Sequence, residues 1–267
     1  MTLLLLKLLL TPLLIVAASV AGRRWGNTVS GWIVGMPLTS APVSLFVALQ
    51  HDKTFAAHAA IGSIAGVVAE CAMFLTWGLV GEWGWAAGLA AGSAAFWAVG
   101  LPSLRAWPIL PLTGVTLVLR VASQFLMRTL PEREGVAVRP PRWDLWARAS
   151  VATVLVLALT AASGALGPRL TGLFAVYPLY SITLASFAHH AAGAPAALRV
   201  LRGVLIGLFA FVAFFFTLGI LLPHTSIAVG YLCAAAAVLM VQLVSVRALP
   251  KPPPPGVSMR TTSPARS

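Results

Sequence analysis

The sequence predicts an all-α, polytopic membrane protein of about nine transmembrane helices, built as two four-helix repeats joined by an extra helix. Hydrophobic residues make up 59% of the 267 residues, charged residues only 9%, and the mean hydropathy is +0.93. Nine apolar windows approach or exceed the roughly 20 residues that cross a bilayer. Within them the apolar residues are continuous, without the two-residue alternation of a membrane β-barrel.

The nine windows use nearly the whole chain and leave no room for a soluble domain. The first of them ends in Ala-Ser-Val-Ala and resembles a secretory signal peptide. We interpret it as a retained span, because Arg23 and Arg24 follow it directly and because it has a counterpart in the second half. The windows cover residues 3–21, 28–50, 55–80, 84–101, 109–127, 147–167, 170–190, 196–222 and 225–247.

The basic residues predict the orientation of the chain. If all nine windows span, most of the positive charge falls on one side, which the positive-inside rule makes cytoplasmic. The N-terminus is then outside and the C-terminus inside a bacterial inner (plasma) membrane. Anionic lipid explains the net charge of +12 without a nucleic acid partner. The basic side carries Arg23, Arg24, Arg128, Arg133, Arg139, Arg142, Arg148, Arg199, Arg202, Arg247, Lys251, Arg260 and Arg266, and the other carries Lys7, Lys53, Arg105 and Arg169.

An internal repeat appears when the sequence is compared with itself at an offset of 141 residues. Thirteen of the 48 columns from Gly31 to Gly78 are identical, where composition alone would give roughly four. The matches include Gly31 with Gly172, Pro37 with Pro178, Phe46 with Phe187 and Gly62 with Gly203. We infer a duplication.

The window at 109–127 has no counterpart and decides how the repeats are related. One spanning helix between two four-helix units inverts the second unit, as in many secondary transporters. If the window, which contains Arg120, does not span, the repeats are parallel. We favour inversion from the window's length. The predicted divisions are the first repeat at 1–106, the connecting helix at 107–127, a basic cytoplasmic loop at 128–146, the second repeat at 147–249 and a disordered proline-rich cytoplasmic tail at 250–267.

Prolines interrupt one span of each repeat near its middle. A proline removes a helix hydrogen bond and displaces a carbonyl group, and backbone groups freed in this way must face protein or water. The simpler explanation is a packing kink. Recurrence at equivalent positions also favours a binding site for a polar solute. The candidate substrate-binding residues are Pro37, Thr39, Ser40, Pro42, Tyr177, Pro178, Tyr180 and Ser181.

Glu70 is the one acidic residue in the middle of a span, and Arg120 is its candidate partner. Desolvation disfavours a buried carboxylate, so Glu70 could exchange a proton during a transport cycle. A fixed Glu70–Arg120 ion pair is the structural alternative. The second repeat has Phe211 at the position of Glu70, which makes any coupling site asymmetric.

Two GxxxG pairs predict close helix packing, because small residues let backbones approach. They are Gly62 with Gly66 and Gly203 with Gly207.

Other chemistry lacks a recognisable pattern. The five histidines have no metal-ligand spacing, and both cysteines lie inside spans as free thiols. We therefore expect no metal, no cofactor and no enzymatic activity.

The stretches "SGWIVGMPL" and "TGLFAVYPL" share a pattern, each followed by a phenylalanine and a GxxxG helix. Each repeat thereby resembles small four-span bacterial inner-membrane proteins of the GlpM type. The resemblance implies an association with alginate and other envelope polysaccharide production, without an established mechanism.

Two functions follow as hypotheses. The first is a secondary transporter or exporter of a small polar or amphipathic solute, proton-coupled through Glu70. The alternative is a non-transporting membrane accessory of envelope polysaccharide or lipid-linked precursor assembly. The substrate, the coupling ion and any homo-oligomeric state stay open.

Overall fold

The computed structural model describes Pro37 and residues 40–105, 107–130 and 144–245, with a few side chains in these ranges excepted. This part of the chain is helical. Its helices are α1 (Ser40–Gln50), α2 (Lys53–Val80), α3 (Trp85–Ser103), α4 (Ile109–Arg128), α5 (Asp144–Leu166), α6 (Pro168–Ala175), α7 (Leu179–Ala192), α8 (Ala194–Leu221) and α9 (Ile227–Ser245), with a 3₁₀ turn at Gly81–Trp83.

Five of these helices are long and apolar enough to cross a membrane, which agrees with an all-α membrane protein. They are α2 with its 3₁₀ turn, α3, α4, α8 and α9. The uncertain window at 109–127 is one continuous helix of 20 residues. The window at 170–190 is two helices, α6 and α7, separated at residues 176–178. The window at 3–21, the first part of 28–50, Thr39 and the proline-rich tail lie outside the described residues.

Helices α2 and α8 form the centre of the bundle and match each other in length. Both have 28 residues, and both of their ends are 141 residues apart, from Lys53 to Ala194 and from Val80 to Leu221. Helices α3 and α9 both have 19 residues. The helix bounds therefore follow the offset found in the sequence.

The two central helices run antiparallel, with a reciprocal contact at their ends. A Cβ atom built on Gly78 would lie 3.3 Å from Leu198, and one built on Gly219 would lie 3.8 Å from the Ala57 carbonyl oxygen. The offset of 141 turns Gly78 into Gly219 and Ala57 into Leu198. Each contact is thus the image of the other, which is the property of a two-fold axis.

Helix α4 packs against both central helices and runs parallel to α2. At one end Ile109 contacts the position of Gly219, and at the other Met127 and Leu130 approach Gly78. Arg202 of α8 donates hydrogen bonds to the Met127 and Leu130 carbonyl oxygens, the second at 3.0 Å. A helix between the repeats therefore extends along the full length of the centre.

The first GxxxG pair lies in the contact between α2 and α6. A Cβ atom on Gly62 would overlap the Arg169 carbonyl group, and one on Gly66 would overlap the Val176 side chain. From the other side, a Cβ atom on Gly172 would overlap the Ala59 carbonyl group. Backbones this close require glycine. Gly203 and Gly207 are likewise buried in α8.

The two central helices begin differently. The Asp52 carboxylate precedes α2 and accepts a hydrogen bond from the Phe55 N–H at 2.6 Å, which caps the first turn. The equivalent residue before α8 is Gly193, whose φ of +76° favours glycine, and no side chain caps this helix.

Candidate functional site

The interruption between α6 and α7 has a counterpart at the start of α1. The Ile182 N–H donates to the Pro178 carbonyl oxygen at 2.9 Å, and the Ala41 N–H donates to that of Pro37 at 2.8 Å. These two hydrogen bonds are again 141 residues apart. The helix after each proline therefore begins with an equivalent first turn.

The interruption lies at mid-depth in the bundle. Val176 contacts Gly66, which is close to the midpoint of the 28-residue α2. If α2 crosses the membrane, the interruption is near the bilayer centre, where broken helices of transporters commonly form binding sites.

Helix α1, which follows Pro37, meets the end of α6 beside this interruption. Ala175, the last residue of α6, is buried in one apolar cluster with Val43, Phe46 and Val47 of α1. In the first turn of α1, Ser40 and Pro42 are buried. The Ser40 Oγ has no hydrogen-bond partner among the described residues. These are the two segments that the sequence predicted as one site.

Tyr177 is fixed within the interruption by the first half of the chain. Its hydroxyl group shares a 2.8 Å hydrogen bond with Ser93 Oγ, and its ring stacks on Trp97 at a centroid distance of 5.6 Å. Phe96 meets the same ring edge-on. Of the other predicted residues, Pro178 and Ser181 are buried, and the side chain of Tyr180 lies outside the described part.

Glu70 is buried on the side of α2 that faces the interruption. It is 4% exposed, and its Oε2 atom has no hydrogen-bond partner. Residues four apart share a helix face, so Glu70 lies one turn beyond the Gly66–Val176 contact. Helical spacing thus places a carboxyl group that has no ion-pair partner among the described residues one turn beyond the contact with the broken helix.

Arg120 is buried but does not pair with Glu70. Its Nε and Nη2 atoms donate to the Leu205 carbonyl oxygen of α8 at 2.7 and 2.5 Å, and its guanidinium carbon lies 3.5 Å from the centre of the Phe209 ring. The ion-pair alternative is therefore not the arrangement seen. A backbone oxygen and an aromatic face satisfy the cation instead, so Arg120 connects α4 to α8.

Sequence reasoning missed a buried polar stripe on α4. Thr113, Thr116, Arg120, Ser123 and Gln124 recur every three or four residues, and all are at least nine-tenths buried. The opposite face is apolar and exposed, as expected of a helix in lipid. The spacing of three and four residues was the signal available in the sequence.

The threonines of the stripe donate to carbonyl groups of their own helix. Thr116 Oγ1 bonds the Leu112 oxygen at 2.7 Å, and Thr113 bonds that of Ile109 at 2.7 Å. Gln124 Oε1 is buried without a partner. Both this atom and Glu70 Oε2 can accept a hydrogen bond from water or a solute, and of the two only the Glu70 carboxylate can also take up a proton.

Among the described residues, no group of three or more His, Cys, Asp or Glu side chains could hold a metal ion. No protein-family model, curated protein or solved structure matches the chain.

Proposed function

We propose that the protein is a secondary transporter or exporter of a small polar or amphipathic solute, proton-coupled through Glu70. The proposed architecture is an inverted pair of four-helix repeats with nine spans in a bacterial inner membrane. The N-terminus is outside and the C-terminus is cytoplasmic.

The reciprocal contact between α2 and α8 supports the inverted architecture. Equivalent helices of parallel repeats would point the same way, whereas these run antiparallel with α4 between them. Inverted repeats place a solute site at the midplane where they meet. That is the level of Pro178 and of the contact between α1 and the end of α6.

The observation that carries the proposal is the unpartnered Glu70 carboxyl group beside the broken helix. An ionised carboxylate without a counter-ion is costly at this depth. Protonation removes that cost, and a cationic or hydrogen-bonding solute reduces it. Solute and proton therefore compete for one group, which is the requirement for coupled exchange.

The test is solute-driven charge and proton movement in proteoliposomes. Solid-supported membrane currents are recorded for a panel of amines, amino acids and sugars, with a pH-sensitive dye inside the vesicles. We expect at least one solute to drive proton movement, and Glu70→Gln to abolish the coupled signal while leaving folding intact. Glu70→Asp keeps the carboxyl group and retains part of it.

Glu82→Gln is the matched control, because Glu82 is exposed at the end of α2. It should transport like the wild type. Unchanged currents in Glu70→Gln would contradict the role of Glu70. Absence of current for every solute, together with co-purifying envelope-assembly proteins, would favour the accessory function that the GlpM-type resemblance suggests.

A further inference from the structure

Two hydroxyl pairs join helices of the two predicted repeats. Ser93 of α3 bonds the Tyr177 hydroxyl group in the interruption at 2.8 Å, and Ser44 of α1 shares a 2.7 Å hydrogen bond with the Tyr231 hydroxyl group of α9. The partners are 84 and 187 positions apart in the chain. Each pair is therefore a contact that only the folded bundle makes.

The Ser93–Tyr177 pair lies toward the end of the bundle at which α2 ends. A Cβ atom on Gly92 would lie 3.1 Å from the Met73 carbonyl oxygen, so the neighbouring Ser93 is close to the level of Met73. Met73 is seven residues beyond Gly66 on α2, which is about 10 Å along a helix. In the proposed orientation, this pair is on the cytoplasmic side of the interruption.

The Ser44–Tyr231 pair lies toward the opposite end. The Tyr231 ring meets the Phe214 ring of α8 at a centroid distance of 6.0 Å. Phe214 is the equivalent of Met73 at the offset of 141, and α8 runs antiparallel to α2. The second pair is therefore displaced from the middle of the bundle by a similar distance in the other direction. In the proposed orientation, it is on the outer side.

Duplication of the sequence does not account for the two pairs. The offset of 141 maps both serines and Tyr231 onto alanines, namely Ala234, Ala185 and Ala90. The helix contacts nevertheless correspond, because α3 is equivalent to α9 and α1 is equivalent to α7. The same kind of hydrogen bond is thus made at corresponding places by residues that are not copies, which indicates a requirement other than packing.

Hydrogen bonds between hydroxyl groups suit contacts that open and close. Loss of one neutral hydrogen bond changes an equilibrium only roughly two- to tenfold, because the freed hydroxyl groups bond water instead. Inverted repeats expose a midplane site to one side at a time by moving one repeat against the other. Contacts between the repeats above and below the site must then break alternately.

We propose that the two hydroxyl pairs are the gates of the candidate site. The Ser93–Tyr177 pair opens the side at which α2 ends, the Ser44–Tyr231 pair opens the side at which α2 begins, and one pair stays formed while the other is broken. This inference rests on the proposed transport function, whose site the gates enclose.

The test measures the side from which a cysteine at the site is reached. Ser40→Cys is introduced together with Cys71→Ala and Cys233→Ala, because Ser40 is buried at the start of α1, one turn from Ser44 toward the interruption. Labelling by a membrane-impermeant maleimide is timed in right-side-out and inside-out vesicles. Glu82→Cys, exposed where α2 ends, identifies the side that each vesicle presents.

We expect each tyrosine variant to raise the labelling rate from one side. Tyr177→Phe should raise it about fivefold from the side at which α2 ends, and Tyr231→Phe should do so from the other side. Ser93→Ala and Ser44→Ala should repeat these results, and they replace a tyrosine variant that does not fold.

Thr217→Val is the control, because the Thr217 hydroxyl group donates to the Ala213 carbonyl oxygen of its own helix. It should label like the parent chain. A response of one pair alone, of both pairs on the same side or of neither pair would overturn the proposal. Labelling needs no solute, so this outcome is separate from the transport currents, whose absence would contradict the proposed function instead.

Discussion

Helices α2 and α8 have the same length and equivalent ends, yet they differ in chemistry. Helix α2 carries Glu70, whose Oε2 atom has no hydrogen-bond partner among the described residues. The equivalent position of α8 is Phe211, whose ring centroid lies 4.8 Å from that of Phe215. Helix α2 starts with a carboxylate cap, whereas α8 starts with Gly193. The two helices therefore match in length and position, but their polar groups differ.

This difference separates what packing requires from what function requires. Gly62 and Gly66 keep α2 in close contact with α6, and Gly203 and Gly207 are buried in α8. Glu70 is a difference that packing does not explain, since a buried carboxyl group without a partner among the described residues costs stability. A polar residue that α2 has and α8 lacks at the equivalent position is therefore a guide to function.

The largest effect on stability is expected from disrupting the close contact between α2 and α6. Gly62→Ala places a methyl group on the Arg169 carbonyl group and forces α2 and α6 apart. We expect the free energy of unfolding to fall by about 1–3 kcal/mol, measured by thermal and denaturant unfolding in one detergent.

Two variants control this result. Gly203→Ala, at the equivalent position of α8, should cost a similar amount. Gly114→Ala should change stability by less than about 1 kcal/mol, because the space around Gly114 is open. A Gly62→Ala variant as stable as Gly114→Ala would show that α2 and α6 are not in close contact.

An intermediate effect on the free energy of unfolding is expected from replacing Glu70 of α2 and Phe211 of α8. The two replacements should change it in opposite directions. Glu70→Leu removes an unpartnered carboxyl group and should raise the free energy of unfolding by about 1–2 kcal/mol. Phe211→Leu removes packing from an aromatic cluster and should lower it by about 1 kcal/mol. Unfolding midpoints measured side by side give both signs. Equal losses would mean that Glu70 has a stabilising partner.

The smallest effect concerns the helix starts. Asp52→Ala removes the cap of α2 and should cost about 1 kcal/mol, whereas Asp52→Gly, which copies the start of α8, should cost only a few tenths. Hydrogen exchange of the Phe55 amide reports the loss locally. If Asp52→Ala leaves that exchange unchanged, the carboxylate does not cap the helix.

The sequence could predict features that depend on local rules. Hydropathy located α2, α3, α4, α8 and α9 to within a few residues, because each window needs only its own composition. Pro178 marked the interruption because its ring excludes a continuous helix. The correspondence of the two halves stays a prediction of the repeat offset, with which the bounds of α2 and α8 agree.

Features that depend on contacts between distant residues were not predictable. Arg120 looked like the partner of Glu70 because no sequence pattern shows that the Leu205 carbonyl oxygen is within reach. The hydrogen bond between Ser44 and Tyr231 likewise joins residues 187 positions apart. The sequence predicts antiparallel packing of α2 and α8 only if the window at 109–127 spans the membrane. Composition alone did not decide whether it does.

The contact between α2 and α6 also bears on how the protein is made. The surface of α2 around Gly62 and Gly66 is covered by residues that the ribosome adds roughly a hundred positions later, which takes about 5–20 s at ordinary rates of synthesis. Throughout that interval the first half is in the membrane with this surface open. Biogenesis therefore has an obligatory waiting state, in which insertion of the early helices precedes their final assembly.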